Sequence, residues 1–434
     1  MRIIPLACSF ASLVDATADP SSTIVSIKSA TGDVNIRQLP TMLTKAGFTP
    51  DPEVASFLDT AEITTLEYVH SQVVQTPPHT IGSEALCSFV TSASSKLSLQ
   101  SECAEDASGE IIGLDGELRV NDPDADYQKH LEWMEMGEVW QLASPHVTRT
   151  VKAVVIDTGI DWTDPDFAPL KGTLSKKSGG FLEGGWNFVT KSTDLTTGET
   201  HGTEVSKILA AKVNNSAGMA GVAPNVILVP LQIFDDKGNT LLSFFSEAIN
   251  MAIDLEIDVI TISFGYYFSR LNSAQQSLIW SALRSAQLNG ILLVSSAGNR
   301  GDEASDKYPC WFGGPLGICV ANLDNDRSQN VLHPKSNWGE RVDVAAYGTR
   351  VFSGRDKNGR LRYFDGTSAS APIVAGLVAI LLSMGVDPDL VKPLLLANVD
   401  QVTSKNNNQF IRSGAINALS TVQHAISMLP FELV

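Results

Sequence analysis

From residue 151 onward, runs of apolar residues alternate with segments of helical spacing, and this alternation restricts the fold more than any other feature of the sequence. Strands are predicted at 151–156, 226–234, 258–264, 291–296, 317–323 and 341–346, and helices at 203–212, 243–255, 274–288, 368–384, 388–397 and 415–428. Continuously apolar strands are buried on both faces, and such strands alternating with helices form parallel sheets. The sequence therefore predicts an α/β fold with a mostly parallel central sheet and helices on both faces.

Polar residues follow three of these predicted strands. Asp157 comes directly after the first, Asn299 lies three residues past the strand at 291–296, and Ser263 to Gly265 ends the strand at 258–264. Functional residues of open parallel sheets gather at the carboxyl ends of the strands. We therefore expect these residues to share one cleft.

Three short segments carry candidate chemistry: Asp157-Thr158-Gly159, His201-Gly202-Thr203 and Gly366-Thr367-Ser368. Each has an ordinary interpretation, namely a solvated turn aspartate, a structural histidine at a helix start and an N-cap serine. Together they contain a hydroxyl nucleophile, a base suited to neutral pH and a carboxylate that orients the base. The chain order Asp, His, Ser is that of one of the known convergent triads.

These segments, VVIDTGID, HGTEV, SSAGN and GTSASAP, resemble the subtilisin-like serine proteases in order and spacing over about residues 121–429. The resemblance implies that Asp157, His201 and Ser368 form the triad. It also implies that the Asn299 amide and the Ser368 N–H stabilise the oxyanion, and that peptide bonds are cleaved through an acyl-enzyme. One departure is Glu204, which stands where the family usually has a second histidine.

The resemblance also implies a substrate-binding region. The edge segment Ser263, Phe264 and Gly265 would pair with the substrate backbone, and Ala297 and Gly298 would line the pocket for the residue before the scissile bond. Lys307 precedes Tyr308-Pro309, a pair that follows the pocket floor in the family. A lysine at the floor would favour acidic or polar side chains, whereas a solvent-facing lysine would not.

A structural calcium site is a further implication. Calcium binds carboxylate, amide and carbonyl oxygens, and the segments around residues 164–166 and 213–219 resemble the tight site of the family. The implied ligands are the side chains of Asp166 and Asn215, the carbonyls of Val213, Ala217 and Met219, and Asp122 or Gln128 from the N-terminal arm. The alternative is a plain Asn/Gly turn without metal.

The first 120 residues differ in composition from the rest. Residues 1–18 contain Arg2, an apolar stretch and an A-x-A-like site, which predicts a secretory signal peptide, although an N-terminal strand or a wrongly assigned start codon would also fit. Residues 19–110 are predicted to form a small α+β propeptide domain that ends in a linker, with the catalytic domain at 120–430. In the N-terminal region we predict a strand at 24–28, a helix at 39–46 and a strand or helix at 62–74. An exposed, cleavable linker is predicted at 91–124, with processing at 100–117. By the resemblance, this domain would act as an intramolecular inhibitor.

The five cysteines contain no C-x-x-C pair, so the sequence does not support a zinc ribbon or a thioredoxin-type site. Without Cys8, which would leave with the signal peptide, four remain, and they allow three disulfide pairings. The short separation of Cys310 and Cys319 favours a bridge between these two. The alternative is a set of free buried thiols.

Charge and hydropathy argue against a nucleic-acid partner and against a transmembrane segment. The net charge of −17 repels nucleic-acid backbones, so no nucleic-acid partner is expected. Residues 369–386 carry no charge over nearly the length of a membrane span, but Pro372 and Gly376 interrupt them, which favours a buried core helix over a transmembrane segment.

The sequence thus predicts a secreted, monomeric, self-processed serine endopeptidase that acts on proteins or peptides. Two other classes of function share part of this pattern. A catalytically silent relative that only binds remains an alternative. A nucleotide-binding α/β enzyme ranks last, because neither G-x-G-x-x-G after a strand nor a P-loop is present.

Overall fold

The structure, a computed structural model, describes residues 22–29, 32–66, 71–76, 80–105, 118–325, 329–406 and 408–429. The chain divides into two units, Met1–Ile112 and Gly113–Val434. The predicted signal peptide at 1–18 lies outside the described residues, and so does the stretch 106–117 of the predicted processing segment.

The first unit is built on an antiparallel sheet in the order β2-β1-β4-β3, with β5 paired to the other side of β1. Its core joins Val25, Ile27 and Val74 of the sheet to Leu86 and Val90 of α3. The unit is therefore α+β. Its elements are β1 (Ser22–Ser29), β2 (Gly32–Asp33), α1 (Leu39–Lys45), α2 (Pro52–Thr60), β3 (Ile63–Leu66), β4 (Ser71–Gln75), α3 (Ser83–Leu97) and β5 (Gln100–Glu105).

The predicted linker is wrong in its first part, because residues 91–105 belong to folded elements. The α3 helix extends to Leu97, and β5 pairs with β1 along its whole length. Leu86, Val90 and Ala93 follow helical spacing and are buried, so the serines between them occupy the remaining surface of a core-packed helix. A disulfide between Cys87 and Cys103 joins this helix to β5.

The second unit contains the remaining elements. They are α4 (Lys129–Trp133), α5 (Met136–Ala143), β6 (Val151–Asp157), β7 (Thr173–Ser175), β8 (Phe181–Glu183), β9 (Trp186–Asn187), α6 (His201–Ala210), β10 (Val226–Gln232), α7 (Leu242–Asp254), β11 (Val259–Ile262), β12 (Tyr266–Tyr267), α8 (Ser273–Leu288), β13 (Leu292–Ser296), β14 (Lys307–Tyr308), β15 (Gly317–Leu323), β16 (Val331–Leu332), β17 (Val344–Tyr347), β18 (Val351–Arg355), β19 (Leu361–Phe364), α9 (Thr367–Ser383), α10 (Pro388–Ala397), β20 (Val399–Asp400), β21 (Thr403–Ser404), β22 (Ala415–Ile416) and α11 (Ala418–Met428).

The central sheet has the order β20-β22-β17-β15-β13-β11-β6-β10-β9, and its consecutive pairs from β22 to β9 are parallel. Side chains of β6 alternate between two cores. Ala153 and Val155 pack in the core that contains α9, whereas Val154 and Ile156 pack in the core that contains α7 and α8. The predicted mostly parallel sheet with helices on both faces is confirmed.

The uncharged segment that follows residue 366 is the core helix α9. Every residue of α9 is buried, and the helix contacts β11, β13, β15 and β17. Within the described part of the chain, no helix is long and apolar enough to cross a membrane. Near this core, Cys310 and Cys319 form the predicted disulfide.

Candidate active site

The end of β6 and the start of α6 bring Asp157 and His201 together. The Nδ1 atom of His201 lies 2.7 Å from Oδ1 of Asp157, a carboxylate that is only 2 % exposed. Gly202 allows this approach, because a Cβ atom there would lie 2.4 Å from the carbonyl oxygen of Gly159. The Thr158 hydroxyl fixes the turn by accepting the Gly202 N–H at 3.0 Å. The sequence predicted this pair from segments that lie 44 residues apart.

The electrostatics around His201 favour its charged form. Burial lowers the pKa of His201, but the Asp157 carboxylate raises it, Glu204 and Glu199 raise it further, and the net shift is upward. The second carboxylate oxygen of Asp157 is buried and has no hydrogen-bond partner among the described residues. The charge of Asp157 is therefore compensated mainly through Oδ1, which also accepts the Thr158 N–H at 2.8 Å.

Glu204 occupies the position where the family usually has histidine, and it lies in a small polar network. Its carboxylate accepts the Ser353 hydroxyl at 3.2 Å and lies 3.4 Å from the Arg362 guanidinium. Burial raises the pKa of Glu204, and the Arg362 charge, the Ser353 hydroxyl and His201 lower it less. The result is a mostly buried acidic group one helical turn away from His201.

Ser368 is the second residue of α9, and the helices α6 and α9 pack against each other. Its hydroxyl donates to the Ser263 carbonyl at 3.1 Å, and the Ser263 hydroxyl donates in return to the Ser368 carbonyl at 3.1 Å. No hydrogen bond joins Ser368 to His201 in the described part of the chain. The candidate nucleophile is therefore hydrogen-bonded to Ser263, the first residue of the predicted substrate-binding segment.

The Asn299 oxygen is held by hydrogen bonds, whereas its amide nitrogen makes none with the residues that the structure describes. Its Oδ1 atom accepts both the Thr367 N–H at 2.9 Å and the Thr367 hydroxyl at 3.1 Å. The Thr367 hydroxyl in turn accepts the Gly298 N–H at 3.0 Å. Gly366 lies so close that a Cβ atom there would be 2.8 Å from the Asn299 amide nitrogen. This arrangement leaves the amide N–H groups of an exposed side chain free to donate.

Sequence reasoning missed residues that support this site. Asn337 donates to the Ala297 carbonyl at 2.9 Å and accepts the Arg300 N–H at 3.0 Å, so it braces both ends of the segment around Asn299. Phe364 packs edge-on against the His201 ring at 5.1 Å between centroids. Neither residue lies in a recognisable local pattern.

The predicted pocket residues also lie near one another. Ala297 is fully buried, and Gly298 has Lys307 beside it, because a Cβ atom at Gly298 would lie 3.6 Å from Cε of Lys307. A Cβ atom at Gly265 would lie 2.8 Å from the carbonyl oxygen of Tyr308, the residue after Lys307. Lys307 therefore lies against the Gly298 side of this region.

The loop predicted to bind calcium wraps around Asp166, which is fully buried. The Asp166 carboxylate accepts the Met219 N–H at 3.0 Å and the Asn215 amide at 3.2 Å. Burial raises the pKa of Asp166 to about 6, although these two hydrogen bonds lower it. Val213 and Ala217 lie in the same loop, and the Asn215 side-chain oxygen accepts the Ala217 N–H at 2.9 Å.

Asp122, the predicted ligand from the N-terminal arm, contacts the same loop. Its two carboxylate oxygens accept the backbone N–H groups of Asn214 and Asn215 at 2.8 and 3.1 Å, and these hydrogen bonds hold the loop in place. In the described ranges, no group of three or more His, Cys, Asp or Glu side chains is arranged to hold a metal ion.

Comparisons with known proteins agree with this geometry. Residues 148–414 match the family model described as "Subtilase family". Thermitase of Thermoactinomyces vulgaris is 29 % identical over 67 % of this chain and 94 % of its own length. Subtilisin E of Bacillus subtilis is 31 % identical over 54 % of this chain, and the match spans about half, 55 %, of subtilisin E.

Among solved structures, a protease of Pseudoalteromonas arctica superposes with a TM-score of 0.55 at 25 % identity, covering 70 % of this chain and 99 % of that one. The family model covers the segments that contain Asp157, His201, Asn299 and Ser368. The chain therefore belongs to the subtilase family and is a serine-type endopeptidase.

Proposed function

We propose that Asp157, His201 and Ser368 form the catalytic triad of this endopeptidase. The hydrogen bond between His201 Nδ1 and the buried Asp157 carboxylate is the observation that carries the proposal. It fixes the imidazole so that Nε2 is the remaining basic nitrogen, and the carboxylate stabilises the imidazolium that forms when this nitrogen takes a proton.

The reaction begins when substrate binds and the Ser368 hydroxyl turns from the Ser263 carbonyl toward His201. The Ser368 oxygen attacks the peptide carbonyl carbon while its proton passes to Nε2 of His201. His201 then gives this proton to the departing amine, the C–N bond breaks, and an acyl-enzyme ester remains on Ser368. A water molecule repeats the attack, and the ester is hydrolysed.

The oxyanion of each tetrahedral intermediate would be held by two donors. One is the Asn299 amide, which Thr367 orients through the Asn299 oxygen. The other is the N–H of Ser368, which lies in the first turn of α9 and has no acceptor within the helix. Fixed donors of this kind stabilise the charge that develops in the transition state.

Substrate would bind as an added strand along Ser263 to Gly265. Gly265 accommodates a close backbone approach, as its contact with the Tyr308 carbonyl illustrates. Main-chain hydrogen bonds would position the scissile carbonyl beside Ser368, and the side chain before the scissile bond would enter the region between Gly265 and Gly298.

Hydrolysis of a peptide library tests the proposal. The wild-type protein should cleave internal peptide bonds, and Ser368→Ala should lower kcat by about 10⁶-fold, the size of effect measured in a related subtilisin. Ser370→Ala, in the same helix and also buried, is the matched control and should retain activity. No cleavage by the wild type would instead support the catalytically silent alternative, and equal measurable rates for both proteins would assign the nucleophile to another residue.

We also propose that the loop around Asp166 binds a structural calcium ion. No N–H group in the described ranges donates to the carbonyl oxygens of Val213, Ala217 and Met219. These three oxygens, the Asp166 carboxylate and the Asn215 amide oxygen make an all-oxygen donor set, which fits calcium once waters complete it. The ion would supply a local positive charge that ties the loop together.

Chelation tests this site. A chelator should lower the melting temperature of the wild-type protein, because calcium that binds only the native state stabilises it. The Asn215→Ala variant should melt lower in calcium and respond less to the chelator. No change of melting temperature on chelation of the wild type would contradict the site.

We further propose that the protein is secreted and that it is made as an inactive precursor. Two disulfides occur in the structure, and such bridges are typical of proteins from oxidising compartments, which supports secretion. The first unit has its own core and precedes the catalytic unit in the chain, which supports a propeptide that inhibits until it is cleaved. We propose that the processed enzyme is a monomer that acts on protein or peptide substrates.

A further inference from the structure

Three cationic side chains surround the ring of Tyr267. The Lys307 ammonium lies 3.7 Å from the ring centroid, and the Arg270 and Arg300 guanidinium carbons lie 4.3 and 5.1 Å from it. Three positive charges so close together repel one another unless an anion lies near them. This cluster, which we call the Tyr267 cation cluster, stands out in a chain whose net charge is −17.

No carboxylate neutralises the Tyr267 cation cluster within the described residues. None of Arg270, Arg300 and Lys307 forms an ion pair there with Asp or Glu. The neighbouring Asp306 carboxylate accepts the backbone N–H of Ser269 at 2.7 Å and the Ser269 hydroxyl, and it forms no ion pair with the three cations in the described part of the chain. The positive charge is therefore available to a ligand.

The chain places this cluster beside the reaction centre. Tyr267 and Lys307 lie directly opposite each other in the β12–β14 pair, so their side chains share one face. Lys307 also touches the space beside Gly298, and Arg300 directly follows Asn299, the proposed oxyanion donor. The cluster thus adjoins the region that would receive the substrate side chain before the scissile bond.

We propose that the Tyr267 cation cluster makes this protein a protease selective for an acidic residue, glutamate above all, immediately before the scissile bond. The inference rests on the proposed function and deepens it by naming the substrate class. Lys307 contacts the substrate carboxylate, and Arg300 and Arg270 add positive potential. Glutamate is favoured over aspartate because its longer side chain reaches farther toward Lys307 on the Gly298 side of this region.

A packing role alone would give a different result. Cation–π contacts stabilise surface structure without any anion, and Arg284 over Trp280, at 5.6 Å, is such a pair on α8. If the cluster served only packing, peptides with glutamate and glutamine before the scissile bond would react equally, because the two side chains have the same shape and differ in charge.

The test compares kcat/KM for peptides that differ only in that residue, namely Glu, Asp, Gln, Leu and Lys. Glu should exceed Gln by about tenfold or more, and the ratio should shrink in 1 M NaCl, where surface charges are screened. Lys307→Met should abolish most of the preference, whereas Lys307→Arg should keep it. Arg284→Gln, a matched removal of a stacked cation, should leave the Glu/Gln ratio unchanged.

The outcomes separate this inference from the proposed function. Cleavage of the peptides with no preference for Glu over Gln overturns the inference and leaves the protease standing. If no peptide is cleaved, the proposed function fails, and binding to the Ser368→Ala form then tests the recognition of the acidic side chain by itself. Tighter binding of the Glu peptide than of the Gln peptide to that form would then support it, and equal binding would overturn it.

Discussion

Among single side chains, His201 shows most directly how the surroundings set the chemistry. Burial lowers its pKa and the charges of Asp157, Glu204 and Glu199 raise it, with a net upward shift. Only the neutral imidazole can accept the Ser368 proton, so activity should fall as pH falls through this raised pKa. The acidic limb of the kcat/KM profile should therefore lie above the unperturbed histidine value of about 6.5.

Replacing Glu204 by glutamine removes one of the charges that raise the pKa of His201. The Glu204→Gln variant should shift the acidic limb of the kcat/KM profile to lower pH, because the imidazolium is then less stabilised. Glu340→Gln, an exposed change outside the groups that shift His201, is the control and should leave the profile in place. An unchanged or upward-shifted limb in Glu204→Gln would contradict this account of the site.

Asn299 gives a second prediction about a single residue. The Asn299→Ala variant should lose about 10²- to 10³-fold in kcat with little change in KM, a magnitude measured in a related subtilisin rather than obtained from this geometry. The KM is spared because the amide acts on the transition state and not on the bound substrate. Asn358→Ala, at an exposed turn, should behave as wild type. A large rise in KM with unchanged kcat would assign Asn299 to substrate binding instead.

The sequence predicts the residues that we propose to react, but not the residues that hold them in place. Asp157, His201, Ser368 and Asn299 lie in short segments whose residue types themselves indicate the chemistry. Asn337 acts through hydrogen bonds to residues about 40 positions earlier, and no local sequence pattern predicts such contacts. The same holds for the convergence of cations on Tyr267, since only the β12–β14 pairing brings Lys307 opposite this ring.

Strands that are buried on both faces could be predicted from the sequence, whereas α3 and β5 of the first unit were missed. The strands at the centre of the sheet, such as Val151–Asp157 and Leu292–Ser296, are mostly apolar and almost entirely buried, and the sequence predicts them within a few residues. The helix Ser83–Leu97 was missed because it buries one narrow stripe and is otherwise rich in serine. The strand Gln100–Glu105 has few apolar residues, and its pairing with β1 rather than its composition makes it a strand.

The bridge between Cys310 and Cys319 links a short 3₁₀ turn to β15 next to the pocket strands. It closes a loop with a sequence separation of 9, and cross-linking a loop of this size stabilises by about 2.5–3 kcal/mol in the chain-entropy treatment. The double variant Cys310→Ala, Cys319→Ala should therefore melt at a clearly lower temperature. An unchanged melting curve would show that packing alone holds this turn.

For the whole chain, the division into two units predicts a maturation event. If the catalytic unit processes its own chain, intact mass spectrometry should show the wild-type protein cut at a bond within or near residues 106–117. The Ser368→Ala protein should keep the full length. Equal full-length masses for both proteins would contradict self-processing, and equal cut masses would assign the cut to another protease.

The central claim is that Ser368 is a nucleophile activated by His201, and labelling with a fluorophosphonate tests it most directly. Peptide mapping should find the adduct on Ser368 of the wild-type protein and a strongly reduced yield in His201→Ala, because without the imidazole the hydroxyl keeps its proton. The absence of any adduct on Ser368 in the wild-type protein, or an equal yield in His201→Ala, would contradict the claim.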